Sequence, residues 1–273
     1  MGAAAIEETA IAVDGASVFC RRKPGEGVPV VFVHGHPSHG GDWEPFLERV
    51  RGPALAYDLP GWGRSQGPAG FDYSIQGLAA LCRRFLEAAG IGEYRLALHD
   101  WGSLALIAAQ EAPDRVRRLV VINAVPLSAD YRWHWVARLW RRRGVGELVN
   151  LTATKPAFAI GLRQASGDRG PMPREFVESM WRHRMRGVGR PALSLYRSAD
   201  PDALAAAGSG LGGVRCPALV VWGQRDPYLG PEQGRWFAGR LPNAELLEVP
   251  RGGHWPWIDD PSAVSQVVDF LDA

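Results

Sequence analysis

The segment Leu96-Ala-Leu-His-Asp-Trp-Gly-Ser103 holds the residues with the clearest chemical potential. An apolar run that reads as a strand ends at His99, Asp100 falls on a sharp turn, and a helix is predicted to start near Ser103. This strand–turn–helix order is the setting of a nucleophile elbow, whose usual G-x-S-x-G form would place serine at position 100. An aspartate there is already charged at neutral pH and needs no base to activate it. It can attack a carbon bearing a leaving oxygen or halogen and form an ester on the protein itself. The competing reading is that Asp100 only caps the helix that follows.

Partners for such a nucleophile follow in the order acid, then histidine. The strand-like run ALVVWG leads into Gln-Arg-Asp226-Pro, and AELLEVP leads into Arg-Gly-Gly-His254-Trp-Pro. Each alone reads as a turn residue. Together they place Asp226 and His254 on loops after strands, beside the elbow of a parallel sheet. His254 would take a proton from water and aim it at the ester carbonyl, with Asp226 fixing its tautomer. The loop Val33-His-Gly35-His36-Pro37 follows another strand and offers the His36 N–H as an oxyanion donor, with the Trp101 N–H as the second. Without the elbow, HGHP would read as a plain Gly/Pro loop. His34 is assigned a structural role.

The elements that must position these residues are legible as buried strands punctuated by glycine. Asp14-Gly15 marks a hairpin within TAIAVDGASVFC. VPVVFVHG is an apolar run of the kind buried on both faces, and the same strand-then-glycine punctuation recurs in ALAYDLPGWG, YRLALHDWG, LVVINAV, ALVVWGQRD and AELLEVPRGG. IQGLAALCRRFLEAAGI and SLALIAAQEAPDRV, between them, have helical period. Strands alternating with helices predict a mostly parallel sheet covered on both faces, with ligands at the carboxyl ends of the strands. From about Pro126 to Ala207 the alternation stops. YRWHWVARLWRRR and EFVESMWRHRMRG are helical, DPDALAAAGSGLGG reads as a small-residue connector, and the whole is predicted to be an inserted helical lid.

Composition narrows the function classes. The 273 residues are 46% hydrophobic and 22% charged, with a net charge of +2. That balance describes a globular protein and excludes a dedicated nucleic-acid or membrane-surface binder. Lys23 and Lys155 are the only lysines, a bias toward arginine that says nothing about function. Cys20, Cys82 and Cys216 form no C-x-x-C pair, so free thiols in a reducing compartment are expected rather than disulfides or zinc. MGAAAIEETAIAVDG lacks a basic start and carries Glu7 and Glu8 where a signal peptide would be apolar, and Ile6 breaks a myristoylation signal. A cytoplasmic protein is expected. The Arg141-Arg142-Arg143 run reads as a solvated helix face.

HGHP at 34–37, DLPGWGRS at 58–65, HDWGS at 99–103, WGQRD at 222–226 and GGHWPWIDDP at 252–261 together resemble the landmarks of the α/β-hydrolases, along essentially the whole chain. Aspartate in HDWG is similar to the epoxide hydrolases and haloalkane dehalogenases. The resemblance implies an α/β-hydrolase fold: a mostly parallel, eight-stranded sheet flanked by helices. The core would span 1–125 and 208–273, with a helical cap at 126–207. It implies catalysis with no cofactor and no metal, on a small-molecule epoxide that the Trp-rich lid would make bulky or aromatic. A monomer or homodimer is expected.

Within that resemblance the lid separates the two activities, because an opening epoxide needs a donor for its oxygen. Arg190-Pro-Ala-Leu-Ser-Leu-Tyr196-Arg197 is similar to the lid segment in which the ring-opening tyrosine is followed by arginine, so Tyr196 is assigned that role. The alternative is a packed tyrosine bonded to backbone. Tyr131 comes early in the lid for a second donor, and Trp135 is the candidate through its indole N–H. Trp133, Ala137 and Trp140 recur at helical spacing, so packing competes as an explanation for the tryptophans. Leu98, Ser103 and the Trp101 indole favour a dehalogenase. Against it stand His36, where Asn or Glu is usual, and Asn123-Ala-Val-Pro, where a common dehalogenase variant carries its acid. Trp101, where fluoroacetate-cleaving relatives carry Arg, disfavours that activity. The leading expectation is epoxide hydrolysis, the alternative is haloalkane dehalogenation, and the third reading is an idle hydrolase fold that binds a ligand.

Overall fold

The computed structural model describes residues 5–184 and 189–273. Met1 and Gly2, and residues 185–187 of the predicted EFVESMWRHRMRG segment, lie outside the described residues. Strands β1 (Glu7–Val13) and β2 (Ala16–Lys23) form the expected hairpin. Asp14 and Gly15 turn it with φ of 47° and 79°, which is the backbone that Asp-Gly supplies at least cost. β3 (Val30–Val33), β4 (Ala54–Tyr57), β5 (Tyr94–Asp100), β6 (Val116–Ala124), β7 (Ala218–Gly223) and β8 (Ala244–Val249) complete an eight-stranded sheet in the order β1-β2-β4-β3-β5-β6-β7-β8. β2 pairs with β1 and β4 antiparallel, and the remaining pairs are parallel.

The side-chain period of two in each strand divides the core into two layers. Val31, Val33, Leu55 and Leu98 join the cluster on one face, while Val30, Phe32, Ala56 and Ala97 join that on the other. Helices α2 (Ile75–Ala88), α3 (Ala105–Glu111) and α10 (Pro231–Arg240) cover the first face; α1 (Glu44–Leu47) and α12 (Ser262–Asp272) cover the second. Ser74 starts α2 by accepting from the Gly77 N–H at 3.1 Å, and Leu78, Leu81, Cys82 and Phe85 form its buried stripe.

Between β6 and β7 lie α4 (Trp135–Arg141), α5 (Val145–Thr152), α6 (Lys155–Ala165), α7 (Arg174–Arg184), α8 (Gly189–Ser198) and α9 (Pro201–Gly208). Two readings of this stretch need correcting. DPDALAAAGSGLGG is no plain connector, because Asp200 caps α9 by accepting from the Ala203 N–H at 2.8 Å. Arg141 is not on a solvated face: it donates to the carbonyls of Tyr196 and Ala199 and lies 5.3 Å over the Trp133 ring. These helices are tied to the loop that carries His254. The His254 N–H donates to Ala165 O at 2.7 Å, and Asp259, in the short helix α11 (Pro256–Asp259), accepts from Ser166 Oγ and from the Gly167 and Gly253 N–H groups.

Candidate active site

Asp100 ends β5 with φ 51° and ψ −122°, a backbone that costs a side-chain-bearing residue about 1–3 kcal/mol. The close packing of neighbouring loops holds it there. A Cβ on Gly102 would lie 2.3 Å from Val33 O, and one on Gly35 would lie 2.2 Å from Asp100 Oδ1. Glycine at both positions lets the β3 loop and the elbow approach each other. The His36 N–H then donates to Asp100 Oδ1 at 2.7 Å, and the Trp101 N–H also bonds the carboxylate. The other oxygen, Oδ2, stands 3.8 Å from His254 Nε2. Thus Oδ1 is held by the His36 amide, the Trp101 amide also bonds the carboxylate, and Oδ2 faces the imidazole.

His254 Nδ1 is 2.8 Å from Asp226 Oδ2, which sets the tautomer and leaves Nε2 toward Asp100. Asp226 is itself saturated. Its Oδ1 accepts from the Tyr228 and Leu229 N–H groups at 2.8 and 3.1 Å, and Oδ2 accepts from Asn123 Nδ2 at 2.7 Å. Asn123 also accepts from the Gly223 N–H at 2.9 Å, so it locks the Asp226 loop to the end of β6. Sequence reasoning noted Asn123 only as the place where another variant carries its acid. The usable signal was its position at the carboxyl end of the strand beside β5. His99 adds a second support, its Nε2 lying 2.8 Å from His254 O.

The electrostatics follow from burial and from these pairings. Burial raises Asp100 from an ordinary 3.8 to about 6, opposed by the His254 charge and the two N–H donors. Burial works against a charged His254, but Asp226 and then Asp100 outweigh it and hold the imidazole above its ordinary value. Burial pushes His36 down to about 3, so it is neutral. Trp62 Nε1 donates to His36 Nδ1 at 3.1 Å, which leaves the proton on Nε2. His34 is also neutral, lowered to about 4 by burial; it accepts from the Leu59 N–H and donates to Gly35 O, a structural use of both nitrogens.

A cavity of about 510 Å³ opens above Asp100, lined by His36, Tyr131, Trp133, Trp140, Tyr196 and His254 among others. Tyr196 is buried, its ring 5.2 Å from Trp101 and 5.9 Å from His36, and its hydroxyl makes no hydrogen bond to backbone among the described residues. Burial, then the Asp100 carboxylate, raise it well above the ordinary tyrosine value. Trp135 also lines the cavity but is 57% exposed, so water competes for its indole. Tyr131, set aside as too early in the lid, is buried in the cavity wall with a hydroxyl that has no hydrogen-bond partner. Burial and then Asp100 raise its pKa as well. Trp101 lies under Trp133, stacked at 5.6 Å, and is not among the residues that line the cavity. Among the described residues, no group of three His, Cys, Asp or Glu could hold a metal ion, and no helix is long and apolar enough to cross a membrane.

A buried carboxylate on a strained elbow, a His–Asp pair and two backbone amides come together at the carboxyl ends of parallel strands. Residues 28–261 match the α/β hydrolase fold, and the chain belongs to that family. It is 31% identical over 225 residues to a haloalkane dehalogenase of Mycolicibacterium paratuberculosis, covering 76% of this chain and 70% of that one. In fold it is similar to haloalkane dehalogenase DbeA from Bradyrhizobium elkani (TM-score 0.82, 24% identity, 98% of each chain). It is equally similar to the Cif epoxide hydrolase from Acinetobacter nosocomialis (TM-score 0.83, 18% identity, 99% of this chain and 90% of that one). The protein is a hydrolase of this family acting on a small molecule.

Proposed function

We propose that this protein hydrolyses epoxides to vicinal diols through an ester formed on Asp100. The observation that carries the reading is the presence of two tyrosines, Tyr131 and Tyr196, in the wall of the cavity that contains Asp100. Asp100 Oδ2 attacks a ring carbon, the carbon–oxygen bond breaks, and the released oxygen takes a hydrogen bond and then a proton from the tyrosine pair. Water next attacks the ester carbonyl carbon while His254 Nε2 takes its proton. Oδ1, held by the His36 amide, carries the oxyanion, with the Trp101 amide as the second donor. Collapse of that intermediate frees the diol and Asp100, and the proton on His254 returns to the tyrosine.

Charge on Asp100 times these events. It raises the pKa of both tyrosines and contributes to raising that of His254. Ester formation removes that charge. The tyrosines therefore become better acids as the alkoxide develops, and His254 loses a reason to hold its proton just when a base is required. Loss of the Asp100 charge thus shifts His254 toward the base form in the second step, while Asp226 continues to orient it.

One specific observation favours the dehalogenase reading: the buried Trp101 indole N–H makes no well-aligned hydrogen bond among the described residues beyond its approach to Tyr196, and a shift of Trp133 would open it to a halide. The discriminating experiment pairs styrene oxide with phenethyl bromide on the wild type, Tyr131→Phe, Tyr196→Phe and the double variant. Diol formation is expected in the wild type, and a loss of about 100-fold in the double variant. Turnover of the bromide alone, or indifference of epoxide turnover to both hydroxyls, overturns the reading.

The pH dependence of the first step has a definite sign. Only ionised Asp100 attacks, so ester formation should be flat above about pH 7 and fall tenfold per pH unit well below about 6. In His254→Ala the midpoint should move upward, because the cation that favours the carboxylate is gone. Rapid-quench mass spectrometry of the adduct across pH reads both.

A further inference from the structure

Among the described residues, Arg184 is the one lysine or arginine that lines the cavity. It lies at the end of α7 and is half-buried. Its two protein hydrogen bonds both run from Nη2 to Asn150 of α5, to the side-chain Oδ1 at 3.1 Å and to the carbonyl at 3.4 Å. Among the described residues Nε and Nη1 make none. Two other cations of these helices have carboxylate partners, Lys155 with Glu178 at 2.5 Å and Arg197 with Glu147 at 2.7 Å, and the part-buried Arg141 is satisfied by backbone carbonyls. Arg184 has none among the described residues. Burial alone lowers its pKa, with no carboxylate opposing the shift, and its charge bears on His36 at the catalytic end.

A guanidinium drawn partly out of water without a counter-ion costs free energy that a ligand anion would offset. Asn150 aims the planar fork, and a carboxylate accepts two parallel bonds from such a fork. The rest of the wall is largely aromatic and aliphatic, with Trp133, Trp140, Phe158 and Leu162 beside the tyrosines. We propose that Arg184 is a substrate-binding residue that holds a carboxylate, so that the substrate is an amphipathic acid with an apolar body and its reactive group at Asp100. That the reactive group is an epoxide rests on the proposed function; the anion subsite rests on Arg184 and Asn150.

The test uses unreactive probes: the phenylalkanoates from phenylacetate to phenylhexanoate, each against its own neutral amide, with binding read by calorimetry and by tryptophan fluorescence. For at least one chain length the wild type should bind the acid about 10- to 100-fold more tightly than the amide, the range of one charge-assisted bond. Arg184→Gln should abolish that preference by weakening the acid far more than the amide, and Arg184→Lys should keep part of it. Equal affinity for acid and amide at every length in the wild type overturns the proposal without need of any variant, as does a preference that survives Arg184→Gln. These probes carry no epoxide or halide, so their binding stands or falls independently of which bond the enzyme cleaves.

Discussion

Replacing His254 with alanine is expected to lower steady-state turnover by about 10⁴-fold while ester formation still proceeds. The asymmetry comes from the nucleophile. A serine at position 100 would need the imidazole for its own activation, so both half-reactions would fail together. Asp100 carries its charge without help, and its Oδ1 stays fixed by the His36 amide 2.7 Å away whatever occupies position 254. Water, by contrast, has no other base within reach. Asp226 lies behind the position of the imidazole, and with His254 removed its Oδ1 is still taken by two backbone N–H groups and its Oδ2 by Asn123. The variant should therefore accumulate a stable adduct on Asp100. Intact mass then identifies the chemistry: a gain of the whole epoxide establishes ring opening, and a gain of an alkyl bromide less hydrogen bromide establishes dehalogenation. Normal turnover by His254→Ala would sink the mechanism.

Asp100→Asn should abolish activity, by at least about 10⁴-fold, and at the same time stabilise the fold. The amide is nearly isosteric, can still accept from the His36 N–H, and cannot attack carbon. The stability gain follows from linkage. Burial lifts the Asp100 pKa from 3.8 to about 6, so the folded state binds its proton more tightly than the unfolded chain does. Below pH 4 both states are protonated and the group costs nothing. Above pH 6 the ionised carboxylate destabilises the fold, and a pKa difference of that size is worth about 3 kcal/mol. The neutral amide removes that cost. Melting temperatures at pH 8 should rise by several degrees over the wild type, with the difference vanishing near pH 4. An equal or lower melting temperature at pH 8 would show that the elbow does not hold a desolvated charge.

How far the site is legible in the chain depends on whether its cause is local. Strands β3, β4 and β7 announce themselves because a strand buried on both faces must be apolar throughout, and glycine must follow where loops crowd, whereas β8 at the sheet edge is only partly buried. Gly35 and Gly102 are such positions. Asp100, Asp226 and His254 each come directly after one of the parallel strands, so parallel topology alone brings them to one edge of the sheet. The lid is different. Trp133, Trp135 and Trp140 are one residue type within a short stretch, yet Trp133 stacks on Trp101, Trp140 packs on His36 and Trp135 is 57% exposed. Helical period says that one side of α4 is apolar, but which side meets the core depends on how the helix docks. The same limit hid Tyr131: its place early in the lid argued against it, while the path of the chain after β6 returns it to the cavity. It also misplaced Arg141, whose bonds to Tyr196 and Ala199 cross more than fifty residues of sequence.

From its sequence alone this protein is determined to be an alternating α/β chain with an insertion after the sixth strand, and with an aspartate, an acid and a histidine at the ends of three strands. Those features arise from local hydrophobic runs, turn chemistry and chain order. Tertiary structure alone decided that Asn123 anchors Asp226, that Tyr131 joins Tyr196 around Asp100, and that Arg184 enters the cavity without a carboxylate partner. These depend on the docking of separate helices and loops, which no spacing along the chain encodes. The charge left on Arg184 and the charge desolvated on Asp100 exist only once that packing excludes water.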